Sequence, residues 1–233
     1  MRQARDFDPS LPHILYEDNH ALGVYKPAGL LTQGDRSGEP NLMDWVKGFL
    51  AERYAKPGQV FLGLVHRLDR PVSGVMLFAR TSKAASRISE QFRERSVEKV
   101  YWARVEGVVA PASGRLENCI EHTEGVRRVA IKRTATATAK PASLRYALRS
   151  RHAQDSCVVA IELETGRKHQ IRAQFAHAGH PVVGDRLYGS RTTLQHEGIA
   201  LCAISLAFTH PTTKARIKLE LPSELLPREL HER

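Results

Sequence analysis

The stretch Leu64 to Thr81, LVHRLDRPVSGVMLFART, constrains this chain more than any other. An apolar run from Val60 to Val65 leads into it. A second run, with Val75, Leu77 and Ala79 alternating against Met76 and Phe78, leads out. Two such segments around a short polar break read as strand, polar turn, strand. His66, Arg67, Asp69 and Arg70 fill the break, followed by Pro71 and the turn-forming pair Ser73-Gly74. A lone carboxylate among cations is favoured as the anion. If the chain is still extended there, Arg67 and Asp69 share a face. Two roles are open to Asp69. It staples the turn to Arg70, as an Asp between strands often does, or it is a reactive group held ionised by its neighbours.

Composition narrows the setting. A chain of 233 residues, 42% hydrophobic, can bury a full core as one large domain or as two small halves sharing a sheet. No apolar run reaches membrane-spanning length, and Met1 to Pro12 is polar with no hydrophobic signal region, so a soluble cytoplasmic protein is expected. Cys119, Cys157 and Cys202 are odd in number and far apart in apolar contexts, which reads as reduced core thiols. Only His177 and His180 stand at a suggestive metal-ligand spacing, without a cysteine or carboxylate pair, and no metal or organic cofactor is expected. The net charge of +10 attracts polyanions and gains from counterion release, so nucleic acid is the natural partner, with a generally basic enzyme as the alternative. Aromatic residues at 6% are too few for a repeated stacking platform.

In chain order, His13 to Tyr16 and Ala21 to Tyr25 read as short strands around the turn Glu17-Asp18-Asn19. Pro27 and Gly29 then break the pattern and leave Lys26 presented at a strand end, exposed or facing a phosphate. Asn41 caps an amphipathic helix with Leu42, Trp45, Val46, Phe49 and Leu50 in its apolar stripe, ending near Tyr54 before Pro57-Gly58. Ser82 caps a second helix that buries Ala85, Ile88 and Phe92. Glu98 to Val109 reads as a strand with Tyr101 and Lys99 on one face. Further short strands up to Leu163 indicate antiparallel sheet. Arg167, Lys168 and His169 then fall at the start of a helix of about three turns, striped by Ile171 and Phe175, where the backbone dipole favours anions. His169 and Arg172 share a face of it. The Gly-bounded turn Gly184-Asp185-Arg186-Leu187-Tyr188-Gly189 and two last strands follow.

His66-Arg67-Leu68-Asp69 with Ser73-Gly74, the Glu98-Lys99-Val100-Tyr101 strand, and TGRKHQIR followed by GDRLYG together resemble the RluA-type pseudouridine synthases. Lys26-Pro27-Ala28-Gly29 and Phe208-Thr209-His210-Pro211 fall in the same family order, so the likeness runs from about Ile14 to Leu221. The resemblance implies an α+β catalytic domain with a mixed, mainly antiparallel sheet, flanking helices and a central cleft. It implies a single catalytic domain over residues 1–233 acting on tRNA or rRNA. With the first motif beginning near Ile14 the family's optional S4-like N-terminal domain is not expected, and the short chain favours a monomer. The implied reaction isomerises uridine to pseudouridine, like a glycosidic cleavage in which the base is retained.

By the same resemblance, Asp69 is the catalytic carboxylate, attacking C1′ or the base. Arg172 pairs with it through a guanidinium fork, and Tyr101 stacks on the uracil and helps remove the C5 proton. Arg67 occupies the space of a flipped base. Arg70, Lys26, Arg167, Lys168 and His169 are expected around the substrate. Val72 departs from the family's usual Thr and Cys202 from its usual His, which touches substrate positioning. A non-catalytic RNA-binding protein and a nucleoside hydrolase are the competing readings. The first has no need of a carboxylate among cations, and the second would release free uracil.

Overall fold

The computed structural model describes residues 8, 10–55, 58–152, 155–195 and 197–231. Pro57 and, in the polar N-terminal stretch, residues 1–7 and 9 lie outside them. The architecture is a mixed, mainly antiparallel sheet with three α-helices among the described residues. In order these are β1 (His13–Glu17), β2 (Ala21–Lys26), α1 (Leu42–Arg53), β3 (Gly63–Leu64), β4 (Ser73–Ala79), α2 (Ser82–Arg93), β5 (Glu98–Glu106), β6 (Ser113–Glu121), β7 (Ala130–Lys132), β8 (Ala139–His152), β9 (Ser156–Leu163), α3 (Gln170–His177), β10 (Leu201–Thr209) and β11 (Arg216–Glu220). The chain forms two compact units. One comprises the chain up to Val97 with Ser205–Pro227, the other Glu98–Ile204 with the residues after Pro227.

In the first unit β2 runs antiparallel to both β1 and β4, with Ala21 opposite Ala79 and Lys26 opposite Gly74. Every residue of β2 and β4 is buried, which is why both read as nearly unbroken apolar segments. Val75, Leu77 and Ala79 pack with Ala84 and Ile88 of α2 and with Leu206, Phe208 and Leu219. A Cβ on Gly63 would stand 2.7 Å from that of Ala85, so a glycine is what lets α2 approach β3.

The strand expected over Val60 to Val65 shrinks to β3. The ladder runs Gly63 to Ala79 and Leu64 to Phe78. One step further, the Leu77 N–H donates to Nε2 of His66 at 2.9 Å, and the His66 ring lies 4.9 Å from Phe92, nearly parallel. A side chain has thus replaced the next strand pair, and the backbone is released into the loop that bears Asp69.

The helices correct three expectations. Asn41 caps α1 by accepting from Asp44 N at 3.0 Å, and Leu42, Val46 and Leu50 are its buried stripe. Trp45 is 37% exposed and stacks on Phe49, because it sits one position off that stripe. The cap of α2 is Thr81, whose Oγ1 accepts from Ala84 N, and Ser82 is the first helical residue. α3 has two turns rather than three.

Asp18 ties the β1–β2 turn together. Its Oδ1 accepts from His20 N and Ala21 N, both at 2.7 Å, and its Oδ2 accepts from the Tyr16 hydroxyl at 2.5 Å. Nε2 of the buried His210 lies 2.9 Å from Oδ2, while its Nδ1 accepts from Thr212 and Thr213 N–H groups. The histidine of the FTHP motif is therefore part of a turn staple. Burial pushes the Asp18 carboxyl up, but these hydrogen bonds outweigh it and hold the group below its ordinary value. Burial, followed by the bond to Asp18, pushes the Tyr16 phenol up to about 12.

Lys26 is not presented to solvent. It is fully buried, and Nζ donates to the carbonyls of Pro27 (2.9 Å), Leu30 (2.7 Å) and Arg70 (3.1 Å). Three carbonyls match the three protons of an ammonium, which lets the charge lie inside the fold. Gly29, at φ 84, places its N–H 2.9 Å from the same Arg70 carbonyl, and Arg70 Nε returns a bond to Gly29 O. The Lys-Pro-Ala-Gly turn and the Asp69 loop are laced together.

The strands of the second unit pair antiparallel in the order β5-β9-β8-β6-β7. The weakly patterned ATATAK stretch is loop up to Thr138, and Ala139 opens β8. α3 packs on β6 and β7, where Ile120, Val129, Ala142, Ala173 and Tyr188 form a small core. The three cysteines are buried and not joined in disulfides, and burial pushes the Cys157 thiol up. Among the described residues no helix is long and apolar enough to cross a membrane.

Replacing Lys26 with Met removes donors from three inward carbonyls, and a loss of about 3 kcal/mol or more is expected in denaturant unfolding. Tyr16→Phe is read against pH. A phenol raised in the folded state adds stability fully present below pH ~10 and lost as pH rises towards about 12. Wild type should therefore lose stability over that window relative to Tyr16→Phe, and parallel curves in thermal melts would refute this.

Candidate active site

Asp69 lies half-buried in the loop between β3 and β4, and its carbonyl accepts from Val72 N at 3.0 Å to close a turn. Its two neighbours are pinned. The Leu68 carbonyl accepts from Thr32 Oγ1 at 2.8 Å, and the Arg70 carbonyl holds Lys26 and Gly29. A carboxylate whose backbone is fixed on both sides loses little entropy when it must hold one orientation. Val72, the departure from the family's Thr, is buried beneath this turn.

The cations around Asp69 divide. The Arg67 side chain is exposed. Arg70 grips Glu39 through Nη1 (2.9 Å) and Nη2 (2.7 Å), and its Nε holds Gly29 O, so its guanidinium braces the loops. Lys26 braces them from inside. Of the residues expected around the substrate, these two are absorbed by the protein's own carbonyls and carboxylate.

In the second unit, Tyr101 lies on the buried face of β5 with Ala103 and Val105, 8% exposed, and pairs with Ile161 of β9. Arg172 is 4% exposed in α3. Its Nε donates to Asp185 Oδ2 at 2.6 Å and its Nη2 to Oδ1 at 2.9 Å, a two-point grip on a carboxylate that is itself 1% exposed. Its guanidinium also lies 5.1 Å from the centre of the Tyr188 ring. A buried guanidinium needs such company, and the fork fixes its plane.

Asp185 and Tyr188 stand three residues apart on one tight turn. Tyr188 N donates to Asp185 O at 3.0 Å, and Gly189 at φ 94 closes the turn. Both side chains thereby reach α3. Sequence reasoning noticed the GDRLYG segment but gave neither residue a role. Their separation by one turn, beside an arginine-bearing helix, was the available signal.

Arg167, Lys168 and His169 precede α3 rather than opening it. His169 is the N-cap residue in the left-handed region, φ 52 and ψ 23, and makes no side-chain cap. That uncommon backbone puts Nδ1 3.0 Å from the Tyr188 hydroxyl. Arg167 Nε donates to Pro141 O, and Lys168, exposed, lies 2.8 Å from His122 Nε2. Gln170 knits the segment from below, receiving Thr165 Oγ1 and Arg167 N on its oxygen and donating to Ser143 O. Among the described residues no cluster of His, Cys, Asp and Glu is arranged to hold a metal ion.

Comparison with known proteins bears on both halves. A family model described as RNA pseudouridylate synthase matches residues 20–177. The ribosomal large subunit pseudouridine synthases C of Salmonella typhimurium and of Escherichia coli are each 35% identical over 91% of this chain. The enzyme named synthase D of Xylella fastidiosa is 35% identical over 90%. The chain spans 66% of the length of the first two and 65% of the third. Among solved structures, human RNA pseudouridylate synthase domain containing 4 aligns with a TM-score of 0.75 at 24% identity, covering 93% of this chain and 89% of that one. Domain containing 1 aligns at 0.73 and 23%, covering 98% and 89%. These two show the fold. By the match over residues 20–177, which include the Asp69 loop, the Tyr101 strand and Arg172, the chain belongs to the RNA pseudouridylate synthase family.

Proposed function

We propose that this chain is an RNA pseudouridine synthase, a soluble, cofactor-independent enzyme that isomerises uridine within ribosomal RNA of the large subunit. The names of its relatives favour that RNA over tRNA. The observation that carries the reading is the Asp69 loop. A side chain used only to staple a turn would need no brace behind it, yet the residues on both sides of Asp69 are tied down by Thr32, Lys26 and Gly29.

In this reading the Asp69 carboxylate attacks C1′ or the base, and the bond from N1 to C1′ breaks. Uracil leaves C1′ with the bonding electron pair, turns within the pocket, C5 bonds to C1′, and the bond that Asp69 had formed breaks and returns the free carboxylate. The proton on C5 is then lost and N1 gains one, so the product has the same atoms as the substrate. Tyr101 stacks on the ring and assists removal of the C5 proton. Arg172 pairs with Asp69. Asp185 and Tyr188 hold the guanidinium in the plane it needs, and act as positioning residues. Arg67 fills the space left by the flipped nucleotide. Arg167, Lys168 and His169 serve the RNA backbone or the cleft. Lys26 and Arg70 position Asp69 and are not assigned to phosphates. The residues act together as a single catalytic domain.

Asp69→Asn should lower pseudouridine formation on protein-free large-subunit rRNA by ~1,000-fold or more, with RNA affinity retained. Equal yields from both proteins would leave an RNA-binding protein, and free uracil in chromatography would indicate a hydrolase. Asp185→Asn should lower kcat by roughly tenfold to a hundredfold in single-turnover assays at unchanged RNA affinity, since it frees the Arg172 fork without touching substrate. A wild-type kcat would remove Asp185 from the account.

A further inference from the structure

A hollow of about 610 Å³ opens in the second unit where the β6–β7 connection meets α3. Val126, Ile131, Ala173 and Ala176 supply apolar walls, and Tyr188 and Arg128 supply a flat platform, with the Arg128 guanidinium 5.2 Å from the ring centre. The proposed chemistry uses none of the hollow's interior. Its walls are nonetheless tied to the candidate site, since the Tyr188 hydroxyl accepts from Val129 N at 2.9 Å and contacts His169, while the Tyr188 ring faces Arg172.

The rim is strongly basic. Arg127, Arg128, Lys132 and Arg133 are all exposed within one short segment. Glu121 takes up Lys132 at 3.2 Å, and Glu124 stands three residues before Arg127. Val126, 48% exposed, stands among these cations. Apolar walls that accept ring faces, a guanidinium over an aromatic ring, and flanking cations match the two parts of a nucleotide, a base and its phosphate. A neutral apolar partner would fill the walls but leave most of the cations unmatched, and a purely anionic one would leave the apolar walls empty.

We infer that this hollow seats an unstacked base of the RNA substrate, a neighbour of the target uridine, with the Arg127 to Arg133 rim on the adjoining phosphates. The identity of the occupant rests on the isomerase reading given above. Tyr188, 4% exposed, is then a shared wall, lying between the hollow with its Arg128 guanidinium and the buried Arg172. Recognition of a neighbouring nucleotide would be felt at the residue that orients Arg172.

The test uses the full chain and large-subunit rRNA transcribed in vitro with part of its uridine replaced by 4-thiouridine. After irradiation and digestion, mass spectrometry is expected to find nucleotide adducts on residues 126–131, His177 or Tyr188. Ala130→Trp fills the hollow from an exposed position on β7. It should remove those adducts and lower kcat/KM on unmodified rRNA about tenfold or more while leaving the melting temperature unchanged. Arg128→Ala, which needs no room, should weaken the same adducts. Adducts confined to other peptides, or a wild-type kcat/KM for Ala130→Trp, would overturn the inference. A wild type that makes pseudouridine without labelling the hollow defeats this inference alone. A wild type that labels the hollow but makes none defeats the isomerase reading and leaves the nucleotide seat standing.

Discussion

The Arg70 carbonyl receives two donors, the buried ammonium of Lys26 and the N–H of Gly29, and the geometry of the first unit's candidate residues depends on that junction. A charged lysine inside a protein is costly unless each of its protons finds an acceptor. Here the acceptors are carbonyls of Pro27, Leu30 and Arg70, so satisfying the charge requires two distant loops to meet. Asp69 is carried between the pinned Leu68 and Arg70 and inherits their rigidity. His66 contributes from the other side, by ending the β3–β4 ladder where the loop must begin.

The second unit solves the corresponding problem for a cation. Arg172 cannot be left unpaired in a buried helix, and Asp185 meets it with both oxygens while Tyr188 lies against the guanidinium. Tyr188 in turn is held by Val129 and His169. The uncommon backbone of His169 is explained by this contact and by the Gln170 network beneath it. Each unit thus fixes one ion of the proposed pair through groups that need not touch a substrate. That arrangement suits a reaction in which orientation of charge carries most of the work.

Much of this was legible in the chain because it is local. The Asn41 cap, the apolar alternation after Ser73, the Tyr101 face of β5 and the turn at Gly184 to Gly189 each depend on residues within a few positions of one another. Errors appeared where a neighbour in space decided the outcome. Trp45 sits beside the buried stripe of α1, and only the packing of Leu42, Val46 and Leu50 settled which side of the helix turns inward. The strand over Val60 to Val65 was cut short by a histidine side chain acting as a strand partner.

The sequence by itself determined the antiparallel strands, the basic character and the order of the motifs, since periodicity, charge and spacing are properties of the chain alone. Tertiary structure decided what the ions do. Lys26, expected at a strand end exposed or facing a phosphate, closes its ammonium on carbonyls up to 44 residues away, and Asp185 has a role only because its turn meets α3. A charged side chain has no fixed partner along the chain. Desolvation forces it to find one, and only the folded backbone sets which carbonyl or carboxylate lies within reach.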